Sequence, residues 1–284
     1  MNVLFTFLEF FITILFSICV YHSIKRGKNY LVELITISIY GLLLEILGVN
    51  WAGGYVYGDF LVKIYGAPVA VALGWGVIIY TSMATVDRFD VAQKIRPFMV
   101  TLFALNIDLS MDAIAIREGL WTWTGDPGFW FNVPGPNFIN WFVVSFSFSY
   151  FVYFFRKNQK MKIFYPILCM ILSLIVLAIM EFIEAWYIWP IFRGEIYFFT
   201  MFAIALILTF IYVMLKKGNL KKNNKIDWIV VIMPIAFHFY FLILLLNRDY
   251  RTPALVFVSL SMLIVGTYGH LLPSWNILRK KITS

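Results

Sequence analysis

An all-α polytopic integral membrane protein, about 8–9 transmembrane helices in one bundle, is the fold class this sequence predicts. Three observations predict it. Of 284 residues, 62% are apolar and only 13% charged, with a strongly positive mean hydropathy. That balance excludes a soluble globular domain. Nine apolar runs approach the length of about 20 residues needed to cross a bilayer. Finally, Lys and Arg alternate between abundant and scarce in successive connections, which is how membrane topology is written into a sequence.

The nine runs lie near 3–24, 31–49, 67–86, 96–116, 137–155, 163–188, 195–215, 227–246 and 253–275. The first lacks a basic leader and a small-residue cleavage site, so it reads as a retained helix rather than a signal peptide. After it come Lys25, Arg26 and Lys28; after the second run comes only Lys63. Then follow Arg88, Lys94 and Arg96, a lone Arg117, and Arg156, Lys157, Lys160 and Lys162. The remaining connections hold Arg193 alone; Lys216, Lys217, Lys221, Lys222 and Lys225; Arg248 and Arg251; and, in the tail, Arg279, Lys280 and Lys281. Odd connections carry 18 of the 23 basic residues and even ones 5. The positive-inside rule then places the N-terminus outside and the C-terminus in the cytoplasm, in the cell (plasma) membrane. The formal charge of +8 is therefore a topology signal, not a nucleic-acid footprint. With no long linker, low-complexity segment or evident repeat, residues 1–284 read as a single membrane domain, with a motif-rich region at 41–142.

On this topology the second, fourth and sixth helices all run outward. Glu45, then Asp108 and Asp112, then Glu181 and Glu184 lie near their ends. At 1.5 Å per residue they sit roughly 6–12 Å below the outer surface. Asp108 and Asp112 are four apart, one turn above each other on one helix face. A carboxylate at the centre of a membrane helix costs roughly 2.5–3.5 kcal/mol. Acids from three helices at one depth therefore need protons, partners or a water-lined cavity. Glu33, Asp87, Asp90 and Asp227 fall instead at the basic inner rim, and the inner half has no comparable set. Lys63 and Arg193 are the cations in range to pair with Glu45, and Arg117 is the one near the aspartates in sequence.

Two outer connections are long and aromatic. Residues 50–66 carry Trp51, Tyr55, Tyr57 and Tyr65, and residues 117–136 carry Trp121, Trp123, Phe129, Trp130 and Phe131. Gly and Pro break helix there, while Trp and Tyr favour the lipid–water interface. Both connections are expected to fold back as lids over the acids, against the plainer alternative of an aromatic belt.

Several stretches taken together resemble the membrane carotenoid hydratase family, of the bisanhydrobacterioruberin hydratase and γ-carotene hydratase type. They are Glu45-Ile-Leu-Gly-Val49, Gly54-Tyr-Val-Tyr-Gly58, Gly66-Ala-Pro68 with Trp75, Asp108-Leu-Ser-Met-Asp112, Gly119-Leu-Trp-Thr-Trp123 and Val133-Pro-Gly-Pro-Asn-Phe-Ile-Asn-Trp141. The chain departs from the family pattern at Ala113, where Pro is usual, and at Asn140, where Gly is usual; a Pro-Phe-Gly element before the tyrosines is also missing. The resemblance implies carotenoid biosynthesis: addition of water across the terminal C=C of an acyclic carotenoid or isoprenoid, giving a tertiary alcohol. A hydro-lyase of this kind uses no cofactor. Its partners are the membrane and a lipid-soluble substrate.

The residues suit that chemistry on their own terms. An isolated alkene must be protonated at its less substituted carbon, and water then attacks the tertiary cation while a base takes its proton. Paired carboxyls at close range do not both ionise, so one holds a proton to give. Either Asp108 or Asp112 serves as the acid, since the proton belongs to the pair. Glu45 orients or deprotonates the water. Trp75, Trp121, Trp123 and Trp141, with Tyr55, Tyr57, Pro68 and Asn137, line the substrate slot; each aromatic face contributes roughly 0.5–2 kcal/mol to a desolvated cation. Glu181 and Glu184 form a secondary acidic pair in a supporting role. A membrane lipid hydrolase of the lysoplasmalogenase type and a proton-coupled carrier of a hydrophobic substrate are the competing readings, since both also need embedded carboxyls. Neither a metal site nor a disulfide is indicated. His22, His238 and His270 share no depth, the outer face is poor in the basic groups a diphosphate–magnesium site needs, and Cys19 and Cys169 lie far apart.

Overall fold

A computed structural model describes residues 3–125, 127–157, 161–191, 195–215 and 226–274. Several residues in the charge count lie outside the described residues: Lys160, Arg193, Lys216, Lys217, Lys221, Lys222, Lys225, Arg279, Lys280 and Lys281. Nine long helices are described: α1 (Val3–Arg26), α2 (Lys28–Leu47), α3 (Val69–Val86), α4 (Arg96–Ala115), α5 (Gly135–Phe155), α6 (Tyr165–Ile183), α7 (Glu195–Leu215), α8 (Trp228–Leu246) and α9 (Pro253–Leu271). All but α7 are long and apolar enough to cross a membrane; α7 is counted as apolar over Phe202–Leu215. The chain is an all-α polytopic integral membrane protein.

Local chemistry sets the helix ends. Pro97, Pro136, Pro166 and Pro253 stand in first turns, where a missing N–H costs nothing. Asp227 and Thr252 cap α8 and α9 by accepting from the amides of Val230 and Leu255. The separation of α1 from α2 is shorter than the sequence predicts: Gly27 alone breaks the helix, at φ 129°. Lys25 and Arg26 close α1 and Lys28 opens α2, and Lys25 lies over the Tyr21 ring. Arg26 lies over the Tyr30 ring and donates to Asp87.

Packing puts α3 and α4 at the centre. Of their spans 83% and 78% is buried, against 17% for α6. α2 packs along α3, α4 along α5 and α5 along α6, while α8 and α9 close the other side of α3 and α4. Gly41 lets α2 approach α3 closely, since a Cβ there would lie 2.7 Å from the Trp75 Cβ. One turn further along α2 stands Glu45.

At one end of the bundle the structure corrects the sequence reading. Glu33, read as an acid of the basic rim, is 1% exposed. Arg156 grips both its oxygens at 2.8 and 2.6 Å, and Tyr165 donates its hydroxyl. Asp87 takes Arg26 at 2.7 Å, Arg156 at 3.0 Å and Arg96 at 3.4 Å. This end therefore does hold a buried acidic set, saturated with arginine. The reason is that a buried carboxylate survives when cations and hydrogen bonds replace its water.

At the other end, four short strands form over the bundle. β1 (Tyr55–Tyr57) pairs antiparallel with β4 (Trp121–Trp123), and β2 (Lys63–Ile64) with β3 (Ala67–Pro68). Gly119, at φ 70°, makes the left-handed turn from α4 into β4. The two long aromatic connections thereby join into one lid, with Tyr55 opposite Trp123 and Tyr57 opposite Trp121.

Candidate active site

Glu45 sits at the end of α2, 4% exposed. One carboxyl oxygen accepts from both the Tyr55 and Tyr57 hydroxyls at 2.6 Å, and the other from the Trp75 indole N–H at 2.7 Å. Three donors to a group with about four lone-pair directions leave one direction free, on the oxygen that faces Trp75. Lys63 stands apart, its ammonium 3.5 Å from the Tyr57 carbonyl. Arg193, the other candidate cation, lies outside the described residues. Burial, and then the charge of Glu45, push both phenols above their usual range, so they stay protonated as donors.

Asp108 and Asp112 are 0% and 3% exposed on α4. The Asn137 amide donates to Asp112 at 2.7 Å and reaches the two Asp108 oxygens at 3.3 and 3.4 Å. The two carboxyls thus share one amide donor from α5. Arg117 does not serve them. It turns outward to the carbonyls of Ala113 and Phe131 and fastens the loop to the end of α4. Among the described residues, no salt bridge reaches Glu45, Asp108 or Asp112, in contrast to the arginine-saturated acids at the opposite end.

The two groups have separate hydrogen-bond partners but share one electrostatic neighbourhood. The Tyr55 phenol lies in the field of Glu45, Asp112 and Glu181, so acids from α2, α4 and α6 converge on it. Aromatic rings roof and wall this region. Tyr55 meets Trp123 at 5.1 Å, Tyr57 meets Trp121 at 6.0 Å, and Trp75 lies against Trp141 at 4.0 Å. The Trp130 indole donates to the Leu109 carbonyl at 2.9 Å, pinning the loop on α4 between the two aspartates. Pro68 stands at the N-cap of α3, where it starts the helix bearing Trp75. Glu181 and Glu184, with Pro136 and Ala185, line a cavity of about 320 Å³ beside the first turn of α5; neither aspartate is part of its lining.

Sequence reasoning overlooked Glu9. It is 9% exposed on α1, and one oxygen accepts the backbone amides of Leu61 and Val62 at 3.0 and 3.2 Å. It stands six residues inside the helix start, so the depth argument, applied to α1 as to α2, α4 and α6, would have found it. Asn137, Tyr55 and Tyr57, expected to line the substrate slot, each hydrogen-bond one of the acids. The three histidines hold helices together. His22 joins Tyr80 and Asp227, His238 joins Asn106, and His270 joins Thr85.

Fold and site define a polytopic membrane protein with buried carboxyls, unpaired with cations, beneath an aromatic cover. The model of the family described as carotenoid biosynthesis protein matches residues 2–212, and the chain belongs to that family. No curated protein and no solved structure matches it. Membership gives the chain a role in carotenoid biosynthesis, which accords with a lipid-soluble substrate met within the membrane.

Proposed function

We propose that the protein hydrates the terminal C=C of an acyclic carotenoid or related isoprenoid, giving a tertiary alcohol. The Asp108–Asp112 pair gives its shared proton to the less substituted carbon. The tertiary cation forms beside the Trp75 and Trp141 faces, with Trp121 and Trp123 above. Water attacks that cation and passes a proton to the free lone pair of Glu45, and return of a proton to the aspartate pair closes the cycle. One water is consumed and the reaction is redox-neutral. By the positive-inside count, the site faces the outer half of the cell membrane, with the N-terminus outside and the C-terminus in the cytoplasm.

One observation carries this reading: two carboxyls that share the Asn137 amide and a third held by two phenols and an indole are buried beneath aromatic rings, and among the described residues no salt bridge reaches any of them. The buried acids at the opposite end are held by arginines instead. Expression in cells that accumulate lycopene tests the reading, with pigment mass as the readout. A product heavier by one water per reacted end is expected. Unchanged pigment with substrate-dependent proton uptake would make the protein a carrier, and ether-lipid cleavage with unchanged pigment would make it a hydrolase.

A further inference from the structure

The π-helical turn Glu184–Ile188 that follows α6 brings Glu184 inward. Its side chain is nine-tenths buried, at 7% exposure, and lines the 320 Å³ cavity with Glu181, Ala185 and Pro136. Among the described residues, neither Glu184 oxygen has a hydrogen-bond partner, and the buried Asn140 carbonyl oxygen also has none. Asn137, three residues before Asn140 on α5, bonds Asp112. Pro136, in the cavity wall, is the residue before Asn137. The first turn of α5 thus stands between the cavity that Pro136 lines and the Asp112 that Asn137 bonds.

The two unpaired Glu184 oxygens call for donors, and the smallest donor is water. A water needs about 10–15 Å³ of such space and two to four polar partners; this cavity exceeds the first requirement many times and supplies the second. We propose that it is a water-filled port through which water and protons reach Asp112 and Asp108. The port supplies the water that the proposed hydration consumes, and in that sense rests on that reading, but it makes a claim about access that can be measured without any pigment.

The test follows carboxyl proton exchange in the membrane-embedded protein by infrared spectroscopy after a switch from H2O to D2O. The band of the protonated aspartate pair is identified by its loss in Asp108→Asn and Asp112→Asn. Glu184→Leu removes the acceptors at similar volume, and Ala185→Phe narrows the cavity from another wall. Each is expected to slow exchange at least tenfold, whereas Glu184→Gln, which still binds water, slows it less than threefold. Wild-type exchange rates in both Glu184→Leu and Ala185→Phe would overturn the port. A protonated band absent from the wild type would overturn its destination. Blocked wild-type exchange on adding magnesium or spermidine would make the cavity a cation site instead and also overturn the proposal. Slowed exchange without any hydrated pigment would leave the port standing and remove the hydratase; hydrated pigment with unslowed exchange would do the reverse.

Discussion

The Tyr55 hydroxyl donates to Glu45 at 2.6 Å across a change from helix to strand, and Tyr57 matches it on the same oxygen. The lid is therefore not merely placed over the acid but bonded to it. Hydrogen bonds to a charged group are worth about 1.5–3 kcal/mol each. Tyr55→Phe and Tyr57→Phe should each lower the rate of product formation about 10–100-fold, with helical content retained. Glu45→Gln should abolish it. Pigment mass analysis together with thermal unfolding separates a loss of chemistry from a loss of fold.

Asp112→Asn should end turnover while leaving the protein inserted, since Asn137 can still bond the new amide oxygen. Near-normal product from this variant refutes the assignment. Asn137→Ala should reduce product by about tenfold or more, because the pair loses its one shared donor, worth about 1.5–3 kcal/mol.

Glu9→Leu should strand the Leu61 and Val62 amides, at a cost of about 1–3 kcal/mol each. Limited proteolysis should then cut within 58–66 faster than in the wild type, while Glu9→Gln, which still offers an amide oxygen, should be protected. Equal cutting in all three proteins would show that Glu9 does not hold the lid. Trp121→Ala should lower turnover more than expression; equal falls would mark that ring as packing alone.

At the opposite end, acid should unfold the protein through Asp87. Burial alone would raise its pKa, but Arg156, Arg26 and Arg96 outweigh burial and hold it below the usual aspartate value. Its contribution is therefore fully present above the unfolded value of about 3.9 and lost as pH falls through the lower folded value. Melting in detergent should drop below about pH 4, and Asp87→Asn should flatten that part of the curve. Arg156→Met should cost about 3–5 kcal/mol at neutral pH by leaving Glu33 buried without its ion pair. A melting temperature unchanged from the wild type would contradict this.

The helices were legible because spanning a bilayer demands an apolar run of fixed length. The run at 96–116 became Arg96–Ala115, and that at 67–86 became Val69–Val86. Glu45, Asp108 and Asp112 were legible for the same reason, since charge within such a run stands out. What escaped depends on partners distant in sequence. The pairing of Tyr55 with Trp123 leaves no periodic mark over three residues. The Glu33 network escaped because its cations come from three different helix ends, each of which alone looks like an ordinary basic rim. Glu9 escaped because its partners are backbone amides, which carry no residue-specific signal.

The antiparallel register of Tyr55, Val56 and Tyr57 with Trp123, Thr122 and Trp121 is extended by the Gly58 amide on Leu120 and the Thr124 amide on Gly54. The two connections consequently behave as one flap with two hinges. Whatever swings Trp121 aside must carry the tyrosines with it and strip Glu45 of its phenolic donors in the same stroke. Opening and disarming are one movement.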